Sequence, residues 1–179
     1  MTLDYTKLGV PLPHDDLQTL FKNGGTNDII AVILQADRDM RKTDKVGNLP
    51  KALQESTDFD TLETIWYFVH DNMTYRADAP GHEIVKAPNW MIYYGIGDCK
   101  SYSVLIAALC RGCGLKYKYR FVGFDNDTQN PTHVYVVAYT RSGEAVIMDA
   151  VHTTFNEEPQ HTFNIDKSPS SNIAGIKYF

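Results

Sequence analysis

The chain has 179 residues, 43% of them hydrophobic and 22% charged, proportions that exclude a disordered, collagenous or low-complexity protein. Seventeen Lys and Arg against 22 Asp and Glu leave a net charge of −5, which argues against a nucleic-acid binder and its basic face. No apolar run approaches the roughly 18 residues of a membrane-spanning helix, and the N-terminal MTLDYTKLGVPLPHDD lacks a charged-then-apolar leader, so the protein is expected to stay in the cytoplasm, off the membrane.

Residues 1–26 read as a lead-in packed on the domain, irregular around Pro11 and Pro13, with a short helix over 15–21 stopped by Asn23-Gly24-Gly25. Over residues 27–40, Ile29, Val32, Ile33, Ala36 and Met40 share one helical face behind Thr26 or Asn27 as cap. A charged loop over 41–48 and a weak helix or turn over 49–56 follow. The next helix is predicted to start at Asp60, with Glu63 completing a capping box and Leu62, Ile65, Trp66, Val69 and Met73 forming the apolar stripe. Pro80, Gly81 and Pro88 then mark a long loop reaching Gly95-Ile96-Gly97-Asp98.

Residues 99–113 are apolar almost all round between Val104 and Cys110, the pattern of a helix at the centre of a domain, with Gly112 and Gly114 as its stop. After Gly114 the period changes from 3.6 to 2. Residues 116–124, 133–140 and 144–149 read as strands, and 156–179 as a polar tail draped over the surface. Helices first and antiparallel strands after predict an α+β domain, its central helix packed on an antiparallel sheet.

Cys110 and Cys113 have CxxC spacing, but a structural zinc site needs four ligands and no second such pair exists, so they read as buried thiols and no metal is expected. Cys99 differs. Asp98 is a good N-cap, which places Cys99 at the first helical position, where the dipole and unpaired N–H groups favour a thiolate and an oxyanion. Asp98 is itself an opposing negative neighbour, and Gly97 is expected to leave room for a substrate.

A cysteine nucleophile needs a base, and the base an orienting partner. His133 opens the strand HVYVVAY, and Asp149 closes the apolar run AVIMD. A three-residue loop Arg141-Ser142-Gly143, with Gly143 at positive φ, pairs Thr140 with Glu144 and sets His133 and Asp149 two residues apart on one face, expected to be the face towards the Cys99 helix. A loop one residue shorter separates them. His152 is the competing histidine; His14, His70, His82 and His161 read as surface or packing residues.

Gly97-Asp98-Cys99 opening an apolar helix, then His133, then Asp149, resembles the transglutaminase-like superfamily of papain-type cysteine enzymes. Upstream, Ile65-Trp66-Tyr67-Phe68-Val69, Tyr75-Arg76-Ala77-Asp78, Gly81-His82-Glu83-Ile84-Val85 and Pro88 are similar to a compact bacterial and phage-associated branch. The resemblance spans residues 27–155, read as the core domain, and implies a transglutaminase-like (papain-like) fold. It implies that Cys99 is the nucleophile, His133 the general base and acid, and Asp149 its orienter. The implied chemistry is acyl transfer, without cofactor, from a protein or peptide substrate (a Gln or Asn side-chain amide or a peptide bond) to water or an amine. Such enzymes complete the oxyanion hole with a side chain upstream of the cysteine, for which Asn89 and Trp90 both stand open. Asp125-Asn126-Asp127 reads as a turn, not a calcium loop. The phage-like branch implies a possible virion or host partner and a virion-associated location, and leaves a non-catalytic binding module with this fold as the alternative function.

Overall fold

The computed structural model describes residues 3–13, 18–22, 26–79, 82–124 and 130–170. The expectations for the side chains of residues 14–27, for Pro80 and Gly81, for the turn at 125–127 and for the end of the tail therefore lie outside the described residues.

The expected helix over 15–21 gives way to strand β1 (Gln18–Lys22), antiparallel to β3 (His82–Lys86). A short apolar run carries too little periodicity to separate the two states, and the available partner strand decides. Helix α1 (Thr26–Lys42) covers the predicted stripe. Its Asp37 carboxylate is fully buried and accepts hydrogen bonds from Tyr117 Oη at 2.5 Å, Tyr119 Oη at 3.0 Å and Arg41 Nε at 2.8 Å, which ties the helix to the sheet.

A single turn, α2 (Leu49–Ala52), leads to α3 (Asp58–Asn72). Helix α3 begins ahead of the predicted Asp60 cap, because Thr57 takes the extended cap conformation and its hydroxyl accepts the Asp60 N–H at 3.0 Å. The supposed loop before Gly95 contains β3 and a further helix, α4 (Pro88–Tyr94). Pro88 stands at the first helical turn, where a missing N–H costs nothing, so a residue read as a turn former starts a helix instead.

Helix α5 (Cys99–Gly112) runs through the centre, with every side chain from Lys100 to Cys110 buried. Around it lie α1, α2, α3, α4, β3 and the main sheet. That sheet is antiparallel, in the order β7 (Ala145–Met148), β6 (His133–Tyr139), β5 (Lys116–Gly123), β8 (Phe163–Lys167). Tyr119, Phe121, Val134, Val136, Ala138, Val146 and Met148 belong to the main core with α5, while Val122, Tyr135 and Val137 form a smaller apolar cluster of their own. Strand β8 lies within what reads as a draped tail. Its Phe163, Ile165 and Lys167 are half-buried in alternation with exposed neighbours, and Arg120 grips Asp166 through two bonds of 2.8 and 2.9 Å. No helix among the described residues is long and apolar enough to cross a membrane.

Candidate active site

The chain enters α5 from a short parallel pair, β2 (Thr74–Tyr75) against β4 (Ile96–Gly97). Asp98 holds extended geometry at φ −111° and ψ −175°, and its Oδ1 accepts the Ser101 N–H at 3.3 Å, which ends the strand and starts the helix. Cys99 is therefore the first helical residue, half-buried at the positive end of the α5 dipole. Gly97 does not serve as substrate space. A Cβ there would lie 2.6 Å from Met91 Sδ and 3.0 Å from Ser101 Cβ, so the room is already taken by the protein's own packing.

The hairpin between β6 and β7 has the predicted loop. Gly143 sits at φ +94°, its N–H donates to Thr140 O at 3.0 Å, and the Thr140 N–H donates to Glu144 O at 2.9 Å. The register Tyr139↔Ala145 through Val136↔Met148 follows, and His133 Nε2 lies 2.7 Å from Asp149 Oδ2. One expectation about this pair fails. His133 alternates in phase with Tyr135 and Val137, the row of the smaller cluster, and not with Val134 and Val136, which pack in the main core. His133 is the first residue of its strand, so its ring reaches Cys99 at the end of the sheet, with Asp149, just past the end of β7, held on its other ring nitrogen. Asp149 is 3% exposed and doubly held: its carbonyl accepts Trp66 Nε1–H at 2.9 Å and its Oδ1 accepts the Val151 N–H at 3.2 Å.

Cys99, His133, Thr132, Tyr75 and Asp78 all line one cleft of about 340 Å³. Burial pushes the His133 imidazolium down, but the Asp149 hydrogen bond and the neighbouring Cys99 outweigh it and hold the pKa up at about 10. The Tyr75 hydroxyl is pushed up to about 12, by burial first and then by the charges of Cys99 and Asp98. Cys99 thus acts on both groups, by hydrogen bonding as well as by charge. At neutral pH Tyr75 keeps its proton and is a donor facing the sulfur.

The remaining candidates sit elsewhere. His152 Nδ1 accepts the Thr154 N–H at 3.4 Å; His70 stacks on Trp66 at 4.6 Å; His161 Nδ1 lies 2.9 Å from Pro159 O. Asn89 is buried and donates to Pro11 O at 3.1 Å, while Trp90 packs against Tyr94 beneath the Lys86 ammonium. Neither lines the cleft. Cys110 and Cys113 are buried free thiols, and burial raises the pKa of both.

Sequence reasoning missed Tyr75 as a member of the site, and also a cluster of charges beside it. The carboxylates of Asp78, Glu83 and Asp98 come within 4.8 Å of one another, close enough to hold a metal ion, and the Lys100 ammonium contacts all three. The signal for Tyr75 is its Cα partner in β4, Gly97, two residues before the cysteine.

The transglutaminase-like superfamily model matches residues 48–150, more than half of the chain and the whole stretch from α2 to Asp149. The chain belongs to the transglutaminase-like superfamily. Membership supports a papain-like hydrolase or transferase kind of function, and the mixed helix and antiparallel sheet arrangement is the transglutaminase-like fold. Among curated proteins, none is a sequence relative at a significant level. Solved structures similar to this one include a candidate cysteine protease from Cytophaga hutchinsonii (17% identity, 75% of this chain and 49% of that one, TM-score 0.48). A candidate protease from Parabacteroides distasonis ATCC 8503 is also similar (9% identity, 71% of this chain and 27% of that one, TM-score 0.49). So is calcium-bound LapG of Legionella pneumophila (20% identity, 74% of this chain and 76% of that one, TM-score 0.47). The matched region spans about half of the first protein's length and about a quarter of the second's.

Proposed function

We propose that this superfamily member is a cysteine-dependent acyl-transfer enzyme, with Cys99 as nucleophile, His133 as general base and acid, and Asp149 as the group that orients the imidazole. The observation that carries this reading is the short His133 Nε2–Asp149 Oδ2 contact, which leaves Nδ1 as the ring nitrogen free to serve a cysteine at a helix N-terminus in the same cleft. Asp149 sets the tautomer and stabilises the imidazolium.

The thiolate attacks a carboxamide or peptide carbonyl and forms a C–S bond. The carbonyl oxygen becomes an oxyanion, with the Cys99 N–H at the head of α5 and the Tyr75 hydroxyl as its donors. Collapse breaks the C–N bond, and the His133 imidazolium gives its proton to the departing amine. Water or a second amine, deprotonated by His133, then attacks the thioester and releases the thiolate. The cleft, about 340 Å³, admits a glutamine or asparagine side chain or a short peptide segment, the substrates this reading assigns to the enzyme.

The test is alkylation by iodoacetamide across pH, read by mass spectrometry. Cys99 is expected to react below pH 7 much faster than a free thiol, while Cys110 and Cys113 stay unlabelled until the chain is unfolded. A Cys99 no more reactive than a free thiol overturns the enzyme and leaves the binding-module reading. Tyr75→Phe is expected to slow turnover of a peptide amide by about 10²–10³-fold, the range for loss of one oxyanion donor, without changing the acylated residue.

A further inference from the structure

The cluster next to Cys99 has an uneven charge balance. Asp98 and Lys100 are almost fully buried, and the Asp78 side chain is 10% exposed. Lys100 Nζ lies 2.6 Å from Glu83 Oε2, 3.4 Å from Asp78 Oδ2 and in direct contact with Asp98 Oδ2. An ammonium has three protons, and here it faces three carboxylates.

Those carboxylates come from different parts of the cleft wall. Asp78 follows Tyr75 on the way out of β2, and its Oδ2 also accepts the Ile84 N–H at 2.7 Å. Glu83 belongs to β3, and Asp98 caps the helix that carries Cys99. Without a cation, three acids held within 4.8 Å, two of them largely buried, would repel one another. A compact cation surrounded by carboxylate oxygens on separate segments is what a protein otherwise obtains by binding a divalent ion.

We propose that Lys100 is a built-in cation, a positioning residue that clamps the segment carrying Tyr75 and Asp78 to the head of α5 and makes the cleft independent of divalent metal. The clamp acts on the position of Cys99, and only in that respect rests on the reading of Cys99 as nucleophile. Two consequences separate it from ordinary packing. The intact protein is indifferent to calcium and to chelators, because the ammonium already fills the place. Removing the ammonium without filling its volume creates an acidic pocket that takes up calcium.

The experiment uses the full chain, stripped with EDTA, as the parent and as Lys100→Ala, with and without millimolar calcium chloride. Melting temperature and the rate of Cys99 alkylation by iodoacetamide are read for each. The parent is expected to show neither value changed by calcium. Lys100→Ala is expected to melt about 10 °C lower and to alkylate more slowly, with calcium restoring a large part of both. A variant that folds only with calcium supports the proposal equally. Where Lys100→Ala does not fold in either condition, Lys100→Ser, which also loses the charge and leaves the volume open, carries the same comparison at a lower temperature. A parent stabilised by calcium, or a folded lysine variant indifferent to it, overturns the proposal. Should Cys99 prove unreactive in every protein, the enzyme reading fails while the melting temperatures still decide the role of Lys100.

Discussion

Cys99→Ala is expected to abolish turnover of a fluorogenic peptide or glutamine amide and to leave the melting temperature within about 2 °C of the parent. The two halves of this expectation have separate causes. The sulfur is the only atom in the proposed mechanism that bonds to substrate, and no neighbour can replace it, since Cys110 and Cys113 are buried in the core at the far end of the same helix. Stability is spared because Cys99 is half-buried at a helix end whose cap is the Asp98 carboxylate rather than the thiol. Cys110→Ala reverses the pattern. That side chain is fully buried in the main cluster, so its removal leaves a small void worth about 1–2 kcal/mol while activity remains. Parallel melts and steady-state rates check both variants, and a Cys99→Ala protein that turns substrate over at the parent rate ends the assignment.

Asp149→Asn is expected to lower the rate by about 10²–10⁴-fold with little loss of fold. An asparagine keeps the carbonyl that Trp66 needs and an Oδ1 for the Val151 N–H, so the local frame survives. It presents an N–H₂ to His133 Nε2, which drives the imidazole proton to the nitrogen meant to receive one from the thiol. The same change has a signature in stability against pH. His133 has its folded pKa raised from 6.5 to about 10, so its contribution is fully present below pH 6.5 and is lost as pH rises through about 10. The asparagine variant lacks the part of that raise that the Asp149 charge supplies and loses less on the alkaline side. Urea unfolding of both proteins at pH 6, 8 and 10 gives the comparison; the difference between them removes the other alkaline groups, the tyrosines above all. His152→Ala, by contrast, should cost little of either rate or stability.

The features visible in the sequence are those fixed by local chemistry. Asp98 before a run of buried residues marks the head of α5, and Gly143 in a three-residue loop sets the strand register, which places His133 and Asp149 on one row. What stayed hidden depends on partners far along the chain. Tyr75 reaches the cleft through a parallel pairing of two residues with β4, too short to leave a period in the sequence. The charge cluster needs Asp78, Glu83, Asp98 and Lys100 to converge from separate segments, and only Asp98, as a helix cap, has a local signal in the sequence. The choice of sheet face was misjudged for a related reason. Alternation says which residues share a face, and where the strand ends decides what that face can reach.

The edge of the sheet has a practical bearing on how this protein can be handled. The superfamily match stops at residue 150, but the far side of β5 is paired with β8, from Tyr119↔Lys167 to Gly123↔Phe163. A fragment trimmed to the matched region would bare the N–H and C=O groups along that strand. Bared edges recruit whatever strand comes first, most often another copy of the same chain. Clumping of a shortened version would therefore report a missing border strand and say nothing against the fold of the matched region.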